Sequence, residues 1–474
     1  MAREGDRTRP GLAQLVALAC AIGLAACGAS RENPSATDAP SGEPFRGTVG
    51  AAGLRTVDSG EILGGNLGLW VLPSHLQSPF DRYLTERGAR LLRYPGGQAD
   101  SLCWETMRVA NGDPPRWEDW RWATSVEDYL ALLQRTGGVP LVGLNTFDHT
   151  IDGQRHDALS EARRLAGRLV AAGQSGAYYE LGNELDWNPA MDPDLYAERF
   201  ITYAEAVKSV DPTARMAGPV TSALVPAWRD GFLDGLARRG KISLLDVFCW
   251  HYYGGWFATW NTDAIDLAKP QQLGSDLQSV RDKLASLGAG RTRLAITEWN
   301  AGIWQGVTRG QGSIEHALWL VDAAGELFRH ADLASYWVEL SNVTDHAALD
   351  DRSTPIQPTT NYWALLLAGQ TLGFGWRDPK VSILEATGDR PTTRATVYAG
   401  RGSDGRLGVL VVNKGEALSV EVGLPSPCSA VTARRIDGAT TRADTGPVEA
   451  AASCTGATLR IDMPRLSAAG LLVR

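Results

Sequence analysis

Two glutamates stand in settings suited to acid–base chemistry. Glu184 closes the string Gly182-Asn183-Glu184, and Glu298 lies within Thr297-Glu298-Trp299-Asn300. Each follows an apolar, strand-like run, and each has an Asn beside it or one residue removed. They are 114 positions apart, which is three strand-plus-helix units of about 38 residues. That spacing sets them facing one another across the mouth of a barrel. A facing carboxylate pair suits glycosidic-bond hydrolysis: one acid protonates the leaving oxygen, and the other attacks the anomeric carbon or activates water. A single Glu at a strand end is as easily a solvated loop acid or a salt-bridge partner. Two in matching settings favour catalysis.

The positioning elements are legible from about residue 60. Strand-like runs span Ile62–Val71, Arg90–Tyr94, Val139–Asn145, Ala177–Leu181, Arg215–Val220, Leu245–His251, Arg293–Thr297 and Leu333–Leu340. Most are continuously apolar, as expected of parallel strands covered on both faces. Amphipathic segments alternate with them, among them Ser125–Thr136, Asp157–Ala172, Pro193–Val210, Ser275–Leu287 and Ser313–Arg329. Ser125 with Asp128 and Ser275 with Gln278 fit capping boxes, and Asp192-Pro193 sets a cap before an N1 proline. The pattern predicts an α/β protein, a (β/α)8 TIM barrel, with active-site residues at the C-terminal strand ends.

After Trp376 the pattern changes to short alternating segments, such as Thr393–Ala399, Arg406–Val412 and Leu418–Val422, which predict a C-terminal antiparallel β-sandwich domain. None of the 16 Trp lies beyond Trp376. Gly400 to Gly405 matches a dinucleotide fingerprint but joins two strands, so it reads as a hairpin turn. Gly235 to Lys241 nearly spells a phosphate loop, yet it ends a helix.

The polar residues at predicted strand ends define the candidate site. They are Asn66 and Trp70, then Arg93-Tyr94-Pro95-Gly96-Gly97, then Asn145, Phe147, Asp148 and His149. Gly182-Asn183-Glu184, His251-Tyr252-Tyr253, Glu298-Trp299-Asn300 and Glu339 complete the set. Taken in order, the GNE string, Thr297-Glu298-Trp299-Asn300 and Leu92-Arg93-Tyr94-Pro95-Gly96-Gly97 resemble clan A of the retaining glycoside hydrolases. They are closest to the α-L-arabinofuranosidases of family 51, with the clan's β-xylosidases, β-glucuronidases and endoglucanases as the alternative. The resemblance covers about residues 60–474. It implies that Glu184 is the general acid/base and Glu298 the nucleophile, and that Asn183 holds the sugar hydroxyl next to the anomeric carbon. It further implies that Arg93 and Tyr252 or Tyr253 hydrogen-bond the nucleophile and that His251 lines the same wall. Asn145 and Trp299 are expected to line the substrate site. Arg93 should keep Glu298 ionised, while Glu184 sits drier with a raised pKa. Glu180, deeper in the barrel, reads as a buried structural acid paired with Arg93 or another cation.

Tryptophan serves either as a sugar-stacking platform or as a large core residue. Trp70, Trp104, Trp256, Trp299 and Trp304 fall at predicted loop ends, whereas Trp228, Trp319 and Trp363 fall in helices and read as packing. The segment from Trp104 to Trp122 has no role readable from spacing. Seven His show no HExxH or other ligand spacing, and no GxSxG elbow occurs, so neither a metal nor another cofactor is expected. A catalytically silent carbohydrate-binding protein is the reading of a different class, and the intact acid pair argues against it.

The chain has 474 residues and a net charge of −8, which excludes a basic nucleic-acid footprint. Residues 1–26 carry three Arg and then an apolar run, and Leu24-Ala25-Ala26-Cys27 resembles a bacterial lipobox. The expected organisation is a signal peptide over 1–26, a flexible tether over 27–48, the barrel over 49–375 and the sandwich over 376–474. The expected partners are a poly- or oligosaccharide substrate and a membrane, through a lipid on Cys27. The protein is expected to be exported, and either lipid-anchored at the bacterial cell envelope or secreted. Outside the cytosol a Cys428–Cys454 bridge is plausible. Cys103 and Cys249 read as buried small apolar residues.

Overall fold

The computed structural model describes residues 40, 42–111, 116–151, 153–254, 265–302, 312–341, 346–352, 354–373, 380–438 and 445–474. The signal peptide, Cys27, Trp256, Trp304 and the boundary at 375/376 lie outside the described residues.

Eight parallel strands close into a barrel: Gly64–Asn66, Leu91–Tyr94, Val139–Leu144, Tyr178–Leu181, Arg215–Thr221, Val247–Tyr253, Arg293–Asn300 and Leu333–Tyr336. Every one falls within, or overlaps, a run expected from sequence. The first is much shorter than its apolar run: Ser59–Ile62 forms a helical turn before it, and the chain leaves the sheet after Asn66. Helix starts follow side-chain chemistry. Ser125 and Asp128 form a reciprocal capping box, and the Asp192 carboxylate accepts from the N–H groups of Asp194 and Leu195 ahead of helix Pro193–Val210. The cap expected at Ser275 is not used. That helix begins at Gln272, on a 3-10 turn over Lys269–Gln271, and the Ser275 hydroxyl donates to the Gln272 carbonyl.

The accessory domain is a single ten-stranded sheet curled around its own apolar core, which includes Phe45, Val397, Val409, Val422, Ile461 and Leu471. This corrects the last residues of the expected 27–48 tether, from Phe45 onward, and the expected barrel start at 49; residues 27–39 and 41 lie outside the described residues. Phe45–Asp58 is a strand of the accessory sheet, antiparallel to Lys380–Gly388 and parallel to Leu418–Gly423. Phe45, Gly47 and Val49 alternate buried positions with exposed Arg46 and Thr48. That two-residue period is hidden inside a Gly/Ala-rich composition. Cys428 and Cys454 are disulfide-bonded. The Gly400–Gly405 segment is a hairpin turn, with Gly405 at φ +82°.

The outer face of this sheet seats on two barrel helices, Ile314–His330 and Thr360–Leu372. Asp322 accepts hydrogen bonds from Thr396 and Tyr398 and pairs with Lys414 at 2.5 Å, all buried. Between the second and third barrel strands, Leu102–Cys103, Arg108–Asn111 and Arg116–Asp119 form a small antiparallel sheet. The Trp-rich segment therefore has a fold of its own.

Candidate active site

The fourth barrel strand ends at Leu181, and the chain then turns sharply. Gly182 has φ +74°, and a Cβ there would stand 2.6 Å from Leu185 Cδ1, so glycine is required. Glu184 itself has φ +49°, an uncommon conformation for a residue with a side chain. Its N–H donates to the Val220 carbonyl at 2.9 Å, which ties the turn to the fifth strand.

Glu298 is placed by a bulge. The sixth and seventh strands pair Trp250 with Ile296, and then His251 with Glu298, so Thr297 is the extra residue. A bulge re-aims the side chains beyond it. Here it brings Glu298 beside His251 and turns Trp299 outward. Trp299 is fully buried, 6.5 Å from Trp319 and edge-on to Tyr336. It is a core residue, which corrects its expected role in substrate binding.

Arg93 organises the floor of the cleft. Its Nη1 donates to Glu298 Oε1 at 2.7 Å and to Asn66 Oδ1 at 2.9 Å. Its Nε donates to Glu180 Oε2 at 2.5 Å, and its Nη2 to Asn183 Oδ1 at 2.8 Å. Burial pulls the Arg93 pKa down, but Glu180 and Glu298 overcome it and hold the guanidinium above its ordinary value. The Tyr253 hydroxyl donates to Glu298 Oε2 at 2.6 Å, while Tyr252 donates outward to the Lys269 carbonyl. Tyr253 is therefore the tyrosine that holds Glu298.

His251 joins the two acids. Its Nδ1 lies 2.7 Å from Glu184 Oε1 and 3.4 Å from Glu298 Oε2. One carboxylate oxygen of Glu184 and one of Glu298 lie within 4.8 Å of each other. Burial pushes the Glu184 carboxyl up to about 7, with the Asp186 charge adding to it and Arg93 opposing. A quarter of the side chain still faces the cleft, so a ligand can reach it. Burial lowers the His251 pKa, which favours a neutral ring donating to Glu184. These three groups are near enough to share a cation. However, both Glu298 oxygens already accept from Arg93 and Tyr253, and a buried guanidinium repels a metal.

Further residues surround the acids, of which Asp100, Asp186 and Trp337 carry no signal in the sequence. Asn66, fully buried, donates to the carbonyls of Thr297, Ser335 and Tyr336 and so holds Arg93 in register. Asp186 accepts from the N–H and hydroxyl of Ser222. Asp100 is raised to about 7 by burial, with Glu184 adding to the shift. Trp337, joined to Val338 by a cis peptide, stands edge-on to Trp70 at 5.8 Å and packs beside Tyr253. Gly96, at φ +68°, lets the chain pass close to its ring. Asn145, expected at the substrate, is held by its own loop: its Oδ1 accepts from the Phe147 N–H, and its Nδ2 lies 3.1 Å from His149 Nδ1. Glu339 is buried and paired with Arg87 at 2.5 Å.

Fold and site together define a (β/α)8 barrel with an appended β-sandwich and a linked acid pair at the C-terminal mouth. No protein-family model matches the chain, and no curated protein matches it. Solved structures do. The chain is similar to a family 51 arabinofuranosidase from Xanthomonas axonopodis pv. citri (19% identity, TM-score 0.69), over 91% of this chain and 100% of that one. An α-L-arabinofuranosidase from Thermotoga maritima, in complex with arabinose, matches at 15% identity and TM-score 0.69, over 90% and 99%. A family 44 xyloglucanase from Paenibacillus polymyxa matches at 17% identity and TM-score 0.68, over 91% and 100%. At these identities the likeness establishes the shared fold.

Proposed function

We propose that this chain is a retaining glycoside hydrolase of α-L-arabinofuranosidase type, acting on poly- or oligosaccharides by double displacement. The observation that carries the reading is the approach of Glu184 and Glu298 to within 4.8 Å. Retaining enzymes hold their carboxyl groups about 5–5.5 Å apart, whereas inverting ones leave about 6.5–9.5 Å for a water molecule.

In this mechanism Glu184 starts protonated, as its raised pKa favours, and gives its proton to the departing glycosidic oxygen. Glu298, aimed by Arg93 and Tyr253, attacks the anomeric carbon and forms a glycosyl-enzyme ester. Glu184, now a carboxylate still facing the His251 N–H, takes a proton from water. That water attacks the anomeric carbon and releases Glu298. Asn183 Oδ1 accepts from Arg93, which leaves its NH2 group to donate to the adjacent sugar hydroxyl. Trp70 and Trp337 supply an aromatic wall.

The arabinofuranoside assignment rests on the Leu92–Gly97 string and on the likeness to arabinofuranosidase structures. The equally similar family 44 fold makes an endo-acting glucanase the reading to test against it. Hydrolysis of a panel of aryl α-L-arabinofuranosides, β-xylosides, β-glucosides and β-glucuronides separates the two. Turnover led by the arabinofuranoside supports the assignment, and turnover of none of the panel contradicts it. The N-terminal Arg-rich apolar run and Cys27 support export with lipid anchoring. Release of a Cys27→Ser variant from the membrane fraction would test the anchor.

A further inference from the structure

A second cluster of chemistry-bearing side chains lies on the rim of the barrel, outside the acid pair. Cys103, His149, His156 and Glu161 each offer one ligand-type atom, and these atoms all lie within 4.8 Å of one another. They come from three segments. Cys103 ends the strand Leu102–Cys103, and Glu161 is in the first turn of helix Ala158–Ala171. His149 and His156 are directly paired across a hairpin, with their rings stacked 5.4 Å apart at 15°. No sequence spacing announces such a set, because the barrel topology assembles it.

The separations have the right scale for one small ion. Cys103 Sγ and His156 Nδ1 each lie 3.1 Å from Glu161 Oε1 and 3.5 Å from each other. His149 Nε2 lies 3.7 Å from the same oxygen. Tetrahedral zinc takes sulfur at about 2.3 Å and nitrogen or oxygen at about 2.0–2.2 Å, which puts neighbouring ligand atoms roughly 3.3–3.7 Å apart, so the two contacts to Glu161 Oε1 would open by a few tenths of an ångström on binding.

The unmet bonding capacity points the same way. Cys103 and Glu161 are essentially fully buried, and the His149 side chain is 8% exposed. Yet His149 Nε2 and Glu161 Oε2 have no hydrogen-bond partner, an unusual condition for buried polar atoms. The other nitrogen of His149 is engaged by the Phe147 carbonyl at 3.0 Å and by the Asn145 amide. Such second contacts orient metal-binding imidazoles. A thiolate, a carboxylate and two neutral imidazoles also balance a divalent charge, so the occupied site would bury no net charge.

We propose that Cys103, His149, His156 and Glu161 form a structural zinc site. Four protein ligands leave no open position for substrate, which distinguishes it from a catalytic centre. The ion would clamp the small Trp-bearing sheet and the 149–156 hairpin to the barrel rim. Trp117 already packs on His149 at 4.6 Å, and Trp104 Nε1 reaches the Glu161 carbonyl at 3.4 Å. That gives the Trp104–Trp122 segment a structural purpose.

The test uses the folded, tag-free chain, stripped with a chelator and reloaded with Co2+ or Zn2+. Wild type should bind one equivalent. The cobalt form should show the intense visible bands of a tetrahedral ion and a thiolate charge-transfer band in the near ultraviolet. Cys103→Ser should lose the charge-transfer band, and His149→Gln should weaken zinc binding tenfold or more. Zinc should raise the Tm of wild type and not that of the double variant Cys103→Ser/His149→Gln. Absence of stoichiometric binding by wild type overturns the proposal, whatever the variants do. So does a pale octahedral cobalt spectrum, or a charge-transfer band that survives Cys103→Ser.

Discussion

One carboxylate oxygen of Glu184 lies within 4.8 Å of one of Glu298. Two carboxylates that close favour sharing a single negative charge. The surroundings decide where the proton resides. Glu298 accepts from Arg93 and Tyr253, whereas Glu184 is pushed up to about 7 by burial. The two carboxyls thereby sit in different surroundings before any substrate binds, as the proposed roles of acid and nucleophile require.

Removing each acid in turn should separate the roles. With an aryl glycoside bearing a good leaving group, azide should accelerate Glu184→Ala and yield a glycosyl azide of retained configuration. Glu298→Ala with azide should give the inverted product. Chromatography and NMR of the products check both, and identical azide products from the two variants would refute the assignment.

The acid step proposed for Glu184 needs its carboxyl protonated, and its raised pKa keeps the proton up to about pH 7. Wild-type kcat/KM should therefore fall on the alkaline side, with a midpoint near pH 7 and a slope of about tenfold per pH unit. Glu184→Gln, assayed on an activated substrate that needs no acid, should lose that limb. An unchanged alkaline limb in the variant would assign it elsewhere.

Arg93 has four partners in a buried site, and its planar fork cannot be copied by lysine. Arg93→Lys should lower kcat on the order of 100-fold, because Glu298 loses its aim. Arg93→Ala, which strands Glu180 and Glu298 without a cation, should cost about 3–5 kcal/mol of stability. Steady-state kinetics and denaturant unfolding check the two effects separately.

The two tryptophans near the acids should behave differently. Trp299, fully buried against Trp319 and Tyr336, should lose about 1–3 kcal/mol on mutation to Phe, with KM nearly unchanged. Trp337, packed at the cleft with Trp70 and Tyr253, should show the opposite pattern: Trp337→Phe should raise KM severalfold with a small change in Tm.

Much of this was legible in the sequence, for physical reasons. Parallel strands covered on both faces write continuous apolar runs, and barrel chemistry collects at their C-terminal ends. Glu184, Glu298, Arg93 and His251 could therefore be placed together from order alone. Features set by a single residue of register could not. The Thr297 bulge turns Trp299 away from the cleft, and nothing in the local string marks it. Phe45–Asp58 is composed like a tether, because Gly and Ala fill positions where its partner strands supply the bulk. The Cys103–Glu161 cluster draws on a strand, a hairpin and a helix, so its ligands become neighbours only once the barrel has closed.

Double displacement is read out by following hydrolysis of the preferred aryl glycoside by proton NMR, before mutarotation scrambles the product. A retaining pair predicts that the first sugar released carries the same anomeric configuration as the substrate. Initial release of the opposite anomer would contradict the double-displacement role given to Glu184 and Glu298.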